Sequence, residues 1–192
     1  MHNQRLQTPR VPPVQKVVEA LEKRYGGKIV YNRPVNIAAT IENHRPISAV
    51  IGDFTSGLMG TMTMSTRLKE LVIMRMGWDC ECVYEFSQHR MRAEIEGITD
   101  QEIIDVTRPL SEGTWSELER IVLQMVDDIY VDDMISDETW MEMSGHLSLE
   151  ESMEYLMLAL MYRFVCGFLN TSGCSLKKVL RAGHSLFPAR AR

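Results

Sequence analysis

The chain has 192 residues and a mass of 22.0 kDa, a length that fits one domain with a substantial buried core. Charged residues make up 24% and hydrophobic residues 45%, which is close to ordinary globular usage and favours neither disorder nor a coiled coil. The net charge is −5 and the chain contains no long Lys/Arg cluster, so we expect no nucleic-acid partner.

The N-terminus MHNQRLQTPR is polar and lacks the apolar segment of a secretory signal, which favours a reducing cytoplasm for the four cysteines. Cys80 and Cys82 are only two positions apart, a poor spacing for a structural disulfide, and no CxxC pair suggests zinc or thioredoxin-like chemistry. The longest apolar run, 155–169, contains Arg163 and is too short to span a bilayer, so we expect a buried helix and no membrane partner.

The first third of the chain is predicted to be an extended arm followed by helices. Three prolines in residues 1–13 exclude a helix interior there. Val14 to Tyr25 has the apolar spacing of an amphipathic helix, which Gly26-Gly27 ends. After a loop with Pro34, residues 36–44 are again helical, and an apolar segment follows at 47–58.

Residues 65–97 are predicted to form a central helix pair, broken at Gly77-Trp78-Asp79, with Asp79 as the N-cap of the second helix. Further helices are predicted from their N-terminal caps, and they start near these positions: Thr99, Thr114 or Ser116, Ser136, and Ser148. No strand-like alternation is sustained. The sequence therefore predicts an all-α single domain of roughly eight helices, over residues 14–186, with a basic tail at 187–192.

The central pair also contains the most reactive set of side chains. Cys82, Glu85 and His89 are separated by steps of three and four, which places them on one face of a helix. Glu70 precedes Cys82 by twelve positions, on the first helix of the pair. With Cys82 in the first turn, exposed backbone N–H groups and the helix dipole would favour an anion at that end.

This spacing, with the local patterns RLKELVIMR and C-x-Y-E-F-x-x-H, resembles the carboxymuconolactone decarboxylase-like family, which includes the alkylhydroperoxidase D peroxidases. In those peroxidases a Glu is followed by C-x-x-C-x-x-x-H, and two thiols reduce peroxide while the Glu and His relay protons. Glu70, Cys82 and His89 match that pattern, but Glu85 stands where the second cysteine would be. A dithiol cycle needs that second sulfur, so the resemblance favours the decarboxylase-like branch.

The resemblance extends over most of the chain, through the N-terminal R-V-P-P, the segment N-I-A-A-T-I-E-N-H that ends at His44, and Y-x6-L-N-x-x-G from Tyr162. It implies the alkylhydroperoxidase D-like helical fold and a homo-oligomer, as a trimer, hexamer or dimer.

We therefore predict a small-molecule enzyme that acts on an organic acid, lactone or cyclic ketone by decarboxylation, isomerisation or ring closure or opening, without a cofactor. His89 would remove or deliver a proton and Glu85 would orient it. Glu70 would assist in a relay or pair with Arg67. The predicted substrate contacts are Tyr84, Arg75, His44, Tyr162 and Asn170.

Three alternatives remain open at this point. Cys82 could be the only redox cysteine of a peroxide reductase that uses an external thiol. The chain could be a non-catalytic helical oligomer, in which case the motif residues would line no pocket. His44, His89 and Glu85 could form a two-histidine, one-carboxylate iron site, although we predict no metal.

Overall fold

The computed structural model describes residues 6, 8–24 and 35–175. This described part is all-helical, with nine α-helices, two 3-10 helices and no strand, and it confirms the predicted fold class. The helices are α1 (Gln15–Arg24), α2 (Val35–Ile41), a 3-10 turn (Glu42–His44), α3 (Arg45–Thr61), α4 (Thr66–Asp79), α5 (Val83–Ile95), α6 (Asp100–Asp105), a second 3-10 turn (Leu110–Glu112), α7 (Glu117–Asp132), α8 (Asp137–His146) and α9 (Leu149–Ser172).

Helix α4 lies at the centre of the molecule, with α5, α7 and α9 packed around it. Every residue from Glu70 to Asp79 is buried, as expected for a helix covered on all sides. At Gly77 the backbone of α5 approaches so closely that a Cβ atom would lie 3.2 Å from the backbone nitrogen of Phe86. This close approach brings Glu70 on α4 within reach of side chains on α5.

The predicted helix starts are confirmed where capping residues define them. Thr99, Ser116 and Ser148 form capping boxes with the glutamates three positions later, and Ser136 is the N-cap of α8. The alternative start at Thr114 does not occur.

The predicted boundary inside the central pair is wrong by three residues. Asp79 is the last residue of α4 rather than an N-cap, and the N-cap of α5 is Cys82. Glu81 makes the turn between the helices with a left-handed backbone (φ 50°). Cys82 therefore precedes the first turn of α5.

Helix α9 is longer than the apolar run from which it was predicted. Its 24 residues are long and apolar enough to cross a membrane by length and composition alone, but it packs against α4 and α7 as a core helix does. Its C-terminus carries part of the N-terminal arm, because the backbone N–H groups of Arg10 and Val11 donate to the carbonyl oxygen of Ser172.

Helix α3 differs from the other α-helices because none of its residues is buried, although it contains seven apolar side chains in seventeen residues. It adjoins α2 and the preceding 3-10 turn and faces α5 and α9 across a cavity.

Several predictions fall outside the described residues: the stop at Gly26-Gly27, the loop with Pro34 and the basic tail at 187–192. The domain limits 14–186 remain a prediction.

Candidate functional site

The candidate site is built on one face of α5. Glu85, His89 and Arg92 follow one another at helical spacing, and Gln88 lies beside them. These four side chains border a cavity of about 500 Å³, which is the size of a small-molecule site.

His89 lies between two carboxylates that come from different helices. Its Nδ1 atom is 2.6 Å from Oε2 of Glu70 on α4, and its Nε2 atom is 3.1 Å from Oε1 of Glu85, one turn earlier on α5. All three side chains are buried. The edge-to-face packing of Tyr162 on the imidazole, with 5.3 Å between ring centres, fixes the ring from the α9 side.

The two carboxylates decide the charge of His89. Burial alone would lower the pKa of this imidazole, but the hydrogen bonds and charges of Glu70 and Glu85 outweigh it and raise the pKa to about 9. At neutral pH His89 is therefore an imidazolium whose two N–H groups donate to the two carboxylates.

The rest of the cavity wall is mainly apolar. It is formed by α2 and α3 on one side and by α5 and α9 on the other. The apolar lining residues include Ile37, Ile41, Ile51, Met59, Val165 and Phe168.

Two tyrosines add to the polar part of the wall, to which the hydroxyl groups of Ser48, Thr55 and Ser56 on α3 also belong. Burial raises the pKa of Tyr162 and of Tyr84 well above the usual value, so both phenols keep their protons. Tyr84 also makes a hydrogen bond with the backbone of Ile37 at the start of α2. Both predicted substrate contacts thus lie on the cavity.

Three other residues predicted to contact substrate lie elsewhere. Arg75 is buried under the opposite side of α4, where its guanidinium binds both oxygens of Asp127 at 2.6 and 2.7 Å and the carbonyl oxygens of Val106 and Arg108 at 2.7 Å. All of these partners are structural, so the predicted contact between Arg75 and substrate is not supported.

Asn170 and His44 also have structural partners. Asn170 donates from Nδ2 to the carbonyl oxygen of Cys80 at 2.8 Å, which ties α9 to the α4–α5 turn. His44 is exposed at the N-cap of α3, where its Nδ1 accepts from the backbone N–H of Ile47. Neither residue lines the cavity.

The placement of His44 also argues against the iron site. Within the part of the chain that the structure describes, no group of three or more His, Cys, Asp or Glu side chains is arranged to hold a metal ion.

Glu70 does not pair with Arg67. The Arg67 guanidinium instead binds Glu102 on α6 and Glu119 on α7, leaving Glu70 to His89. Cys82 is buried beside Tyr84 and is absent from the cavity lining.

Sequence reasoning missed Arg92 and Gln88. Arg92 lies three residues after His89, so extending the recognised helical face by one turn would have found it, and Gln88 lies three residues after Glu85 at the edge of the same face. The wall contributed by α3, from Ser48 to Met59, had no comparable signal, because nothing in that segment indicates which residues it faces.

No protein-family model and no curated protein sequence matches the chain. Among solved structures, it is similar to the debrominase Bmp8 without ligand (15% identity, 92% of this chain and 97% of that one, TM-score 0.71). It is equally similar to a cysteine-to-alanine variant of Bmp8 in complex with 2,3,4-tribromopyrrole (14% identity, 92% and 96%, TM-score 0.71). A third neighbour is the alkylhydroperoxidase AhpD core of an uncharacterized peroxidase-related protein from Ralstonia eutropha JMP134 (12% identity, 90% and 94%, TM-score 0.72).

These similarities cover almost the whole chain and show that it has the alkylhydroperoxidase D-like fold, as predicted. At 12 to 15% identity they concern the fold alone.

Proposed function

We propose that the protein is a small-molecule enzyme of the carboxymuconolactone decarboxylase-like type, a lyase or isomerase that moves protons with Glu85, His89 and Glu70. The observation that carries the proposal is the imidazolium of His89 held between two buried carboxylates on the wall of a cavity. In a non-catalytic oligomer the motif residues would line no pocket, whereas Glu85 and His89 border a cavity of about 500 Å³.

The charge of His89 changes the roles expected from sequence. An imidazolium with a pKa near 9 holds its proton at neutral pH and is a poor base. Glu85 is the only acidic residue among the described residues that line the cavity, so we assign it the role of base.

In this scheme Glu85 accepts a proton from the carbon next to a substrate carbonyl, using a carboxylate that the Nε2–H of His89 orients. Glu70 binds Nδ1 on the other side of the His89 ring. It keeps the imidazole charged while Glu85 takes the substrate proton and returns it. The protonated phenol of Tyr162 and the cation of Arg92 lie on the same wall, where they can stabilise an enolate or a carboxylate.

The lining of the cavity supports the proposed substrate class. One wall presents Arg92, Gln88 and the Glu85–His89 pair, α2 and α9 supply mostly apolar contacts, and α3 adds both apolar side chains and hydroxyl groups. An organic acid, lactone or cyclic ketone with an apolar body and one polar end fits this division.

The test is proton exchange at carbon. Candidate keto acids, lactones and cyclic ketones are incubated with the protein in D2O, and loss of the α-proton signal is followed by NMR. We expect exchange or turnover with at least one member of the class, and a fall of about 10²-fold or more in Glu85→Gln and in His89→Gln.

Glu94→Gln is the matched control, because Glu94 lies on the same helix but is exposed and pairs with Arg90. Its rate should equal that of the wild type. Activity retained in both Glu85→Gln and His89→Gln would refute the assignment.

Reduction of an alkyl hydroperoxide through Cys82 is the second candidate. It is favoured by the contact of Cys82 with a further thiol, Cys166, and opposed by the burial of Cys82 away from the cavity. Hydroperoxide consumption with excess dithiol, compared between wild type and Cys82→Ser, tests it directly.

A further inference from the structure

All four cysteines of the chain are in the thiol form, outside any disulfide, and they lie together in one cluster that includes Tyr84 of the cavity wall. Cys80 and Cys82 come from the turn between α4 and α5, Cys166 from the middle of α9, and Cys174 from just beyond its end. This cluster is distinct from the Glu70–His89–Glu85 site, and the proposed acid–base chemistry does not use it.

Cys166 is the centre of this cluster. Its side chain packs in one buried cluster with Cys82 and Cys174, against which Cys80 also packs, and the neighbouring thiols of Cys80 and Cys82 together with burial raise its pKa well above the usual value. Cys166 is therefore the protonated partner, packed beside two thiols of the α4–α5 turn.

A hydrogen bond from a side chain of α9 to the backbone of Cys80 also joins α9 to the α4–α5 turn. Asn170 lies one helical turn after Cys166, on the same face of α9, and its side chain donates to the carbonyl oxygen of Cys80 at 2.8 Å. One face of α9 thus fixes the backbone of Cys80 through Asn170 and packs Cys166 near its side chain, while the Cys80 thiol lies 3.7 Å from the sulfur of Met76 on α4.

The thiols differ in their access to solvent. Cys82, Cys166 and Cys174 are buried, whereas Cys80 is partly exposed. The Cys174 thiol faces Thr40, whose hydroxyl lies 3.8 Å from the sulfur. Among the four, Cys80 is the one that a reagent from solvent reaches first.

We propose that Cys80 and Cys166 form an oxidisable thiol pair, which a hydroperoxide converts into a disulfide between α9 and the α4–α5 turn. The Cys80 thiolate attacks the peroxide, its O–O bond breaks, the alcohol or water leaves, and Cys80 becomes a sulfenic acid. The Cys166 sulfur then attacks the Cys80 sulfur, the S–O bond breaks, and the Cys166 proton leaves with the hydroxyl group as water. An external dithiol reverses the step by thiol–disulfide exchange.

This oxidation is independent of the proposed proton transfer, and the two are tested separately. Its connection with the site is structural, because α9 also carries Tyr162, which packs on the His89 ring.

The experiment maps the bond in the full-length protein. Reduced protein is treated with about one equivalent of hydrogen peroxide, blocked with a maleimide after denaturation and weighed intact. We expect a loss of about 2 Da and a fall from four to two in the number of maleimide-reactive thiols. Digestion after glutamate cuts at Glu81, which separates Cys80 from Cys82, and a further digestion with chymotrypsin after Phe168 separates Cys166 from Cys174, so the cross-linked peptides identify both partners of the bond.

Four serine variants complete the test, with circular dichroism used to verify folding. Cys80→Ser and Cys166→Ser should form no disulfide under the same treatment, and Cys174→Ser, the matched control from the same cluster, should form it as the wild type does. Cys82→Ser should also form it.

A wild-type protein that gains oxygen without losing two thiols, or a bond that maps to Cys82 or Cys174, would overturn the proposal even if a variant failed to fold. Glu85→Gln should keep the disulfide, so a failure of the acid–base proposal leaves this result unchanged.

Discussion

At the level of single residues, the charge of His89 depends on carboxylates that arrive from two helices. Glu85 lies one turn away on α5, a proximity that the sequence predicts. Glu70 comes from α4 and reaches His89 only because Gly77 lets the two helices approach closely. The sequence spacing therefore identified the three residues, whereas the direction in which the pKa of His89 shifts could be inferred only from the distances between them.

The raised pKa of His89 predicts a pH dependence of stability. The folded pKa of about 9 exceeds the unfolded value of 6.5, so the stabilisation is fully present below pH 6.5 and is lost as the pH rises through 9. We expect the free energy of unfolding to fall by about 3 kcal/mol across this window. Urea denaturation measured at several pH values checks it.

Two variants separate this effect from other titrations. In His89→Gln the loss between pH 6.5 and 9 should disappear. In His146→Gln, which alters a partly exposed histidine that faces Glu117, the loss should persist. An unchanged pH profile in His89→Gln would contradict the imidazolium assignment.

Arg75 supports a second prediction at this scale. Its guanidinium links α4 to Asp127 on α7 and to two carbonyl oxygens that follow α6. Removing one partner of a buried ion pair leaves the others uncompensated, so Arg75→Met should lower the free energy of unfolding by about 3 kcal/mol or more. Chemical denaturation measures the change.

Arg163→Met is the comparison for Arg75. Arg163 also binds carbonyl oxygens, those of Ile129 and Tyr130, and pairs with Asp133, but it is more exposed. We expect a loss of about 1 kcal/mol or less. Equal effects of the two variants would show that Arg75 is not a buried structural link.

At the level of helices, the sequence predicted best where a local side chain defines an end. Thr99, Ser116 and Ser148 each meet a glutamate three residues later, and both the hydroxyl and the carboxylate satisfy backbone N–H groups within a single turn. The prediction at Asp79 was wrong because contacts with distant parts of the chain, rather than a local side chain, decide where this helix ends. This residue continues α4 because tertiary packing around a fully buried helix outweighs the capping preference of an aspartate.

The parts of the site that sequence could not predict depend on contacts between distant elements. Arg75 has the charge and the N–H donors of a substrate-binding residue. Only its contact with Asp127, more than fifty residues later, shows that it is a structural link. The same holds for Asn170, whose partner Cys80 lies ninety positions earlier. Helical periodicity assigns residues to a face of a helix but does not say what that face meets.

Two left-handed glycines among the described residues give a prediction for the helix ends. Gly97 (φ 78°) has open space where a Cβ would lie, whereas at Gly173 (φ 72°) a Cβ would lie 3.0 Å from Cα of Pro9 in the N-terminal arm. Gly97→Ala should cost about 1 kcal/mol for the backbone conformation alone. Gly173→Ala should cost about 1 to 3 kcal/mol more, because the arm must shift. Thermal denaturation of the two variants compares them.

The difference between these variants measures how firmly the arm packs on the end of α9. If Gly173→Ala lowers the stability no more than Gly97→Ala does, the arm moves away from the added Cβ atom without a loss of stability.

At the level of the whole molecule, α3 is the helix that the described residues 6, 8–24 and 35–175 leave without a buried residue. Ile47, Val50 and Phe54 recur at helical spacing on its outer side and are all exposed, and Phe164 on α9 is exposed as well. We propose that a second copy of the chain covers the outer side of α3, which accords with the homo-oligomer implied by the family resemblance. Because α3 also forms one wall of the cavity, this contact would hold that wall in place.

Val50→Glu tests the assembly without altering the cavity. Val50 is 66% exposed and does not line the cavity, while a buried charge at an interface would cost several kcal/mol. Light scattering should therefore give a multiple of 22.0 kDa for the wild type and a single chain for Val50→Glu. Val131→Glu is the matched control, because Val131 is 71% exposed on α7. It should keep the wild-type mass, and a wild type that is already a monomer would refute the proposal that a second copy covers α3.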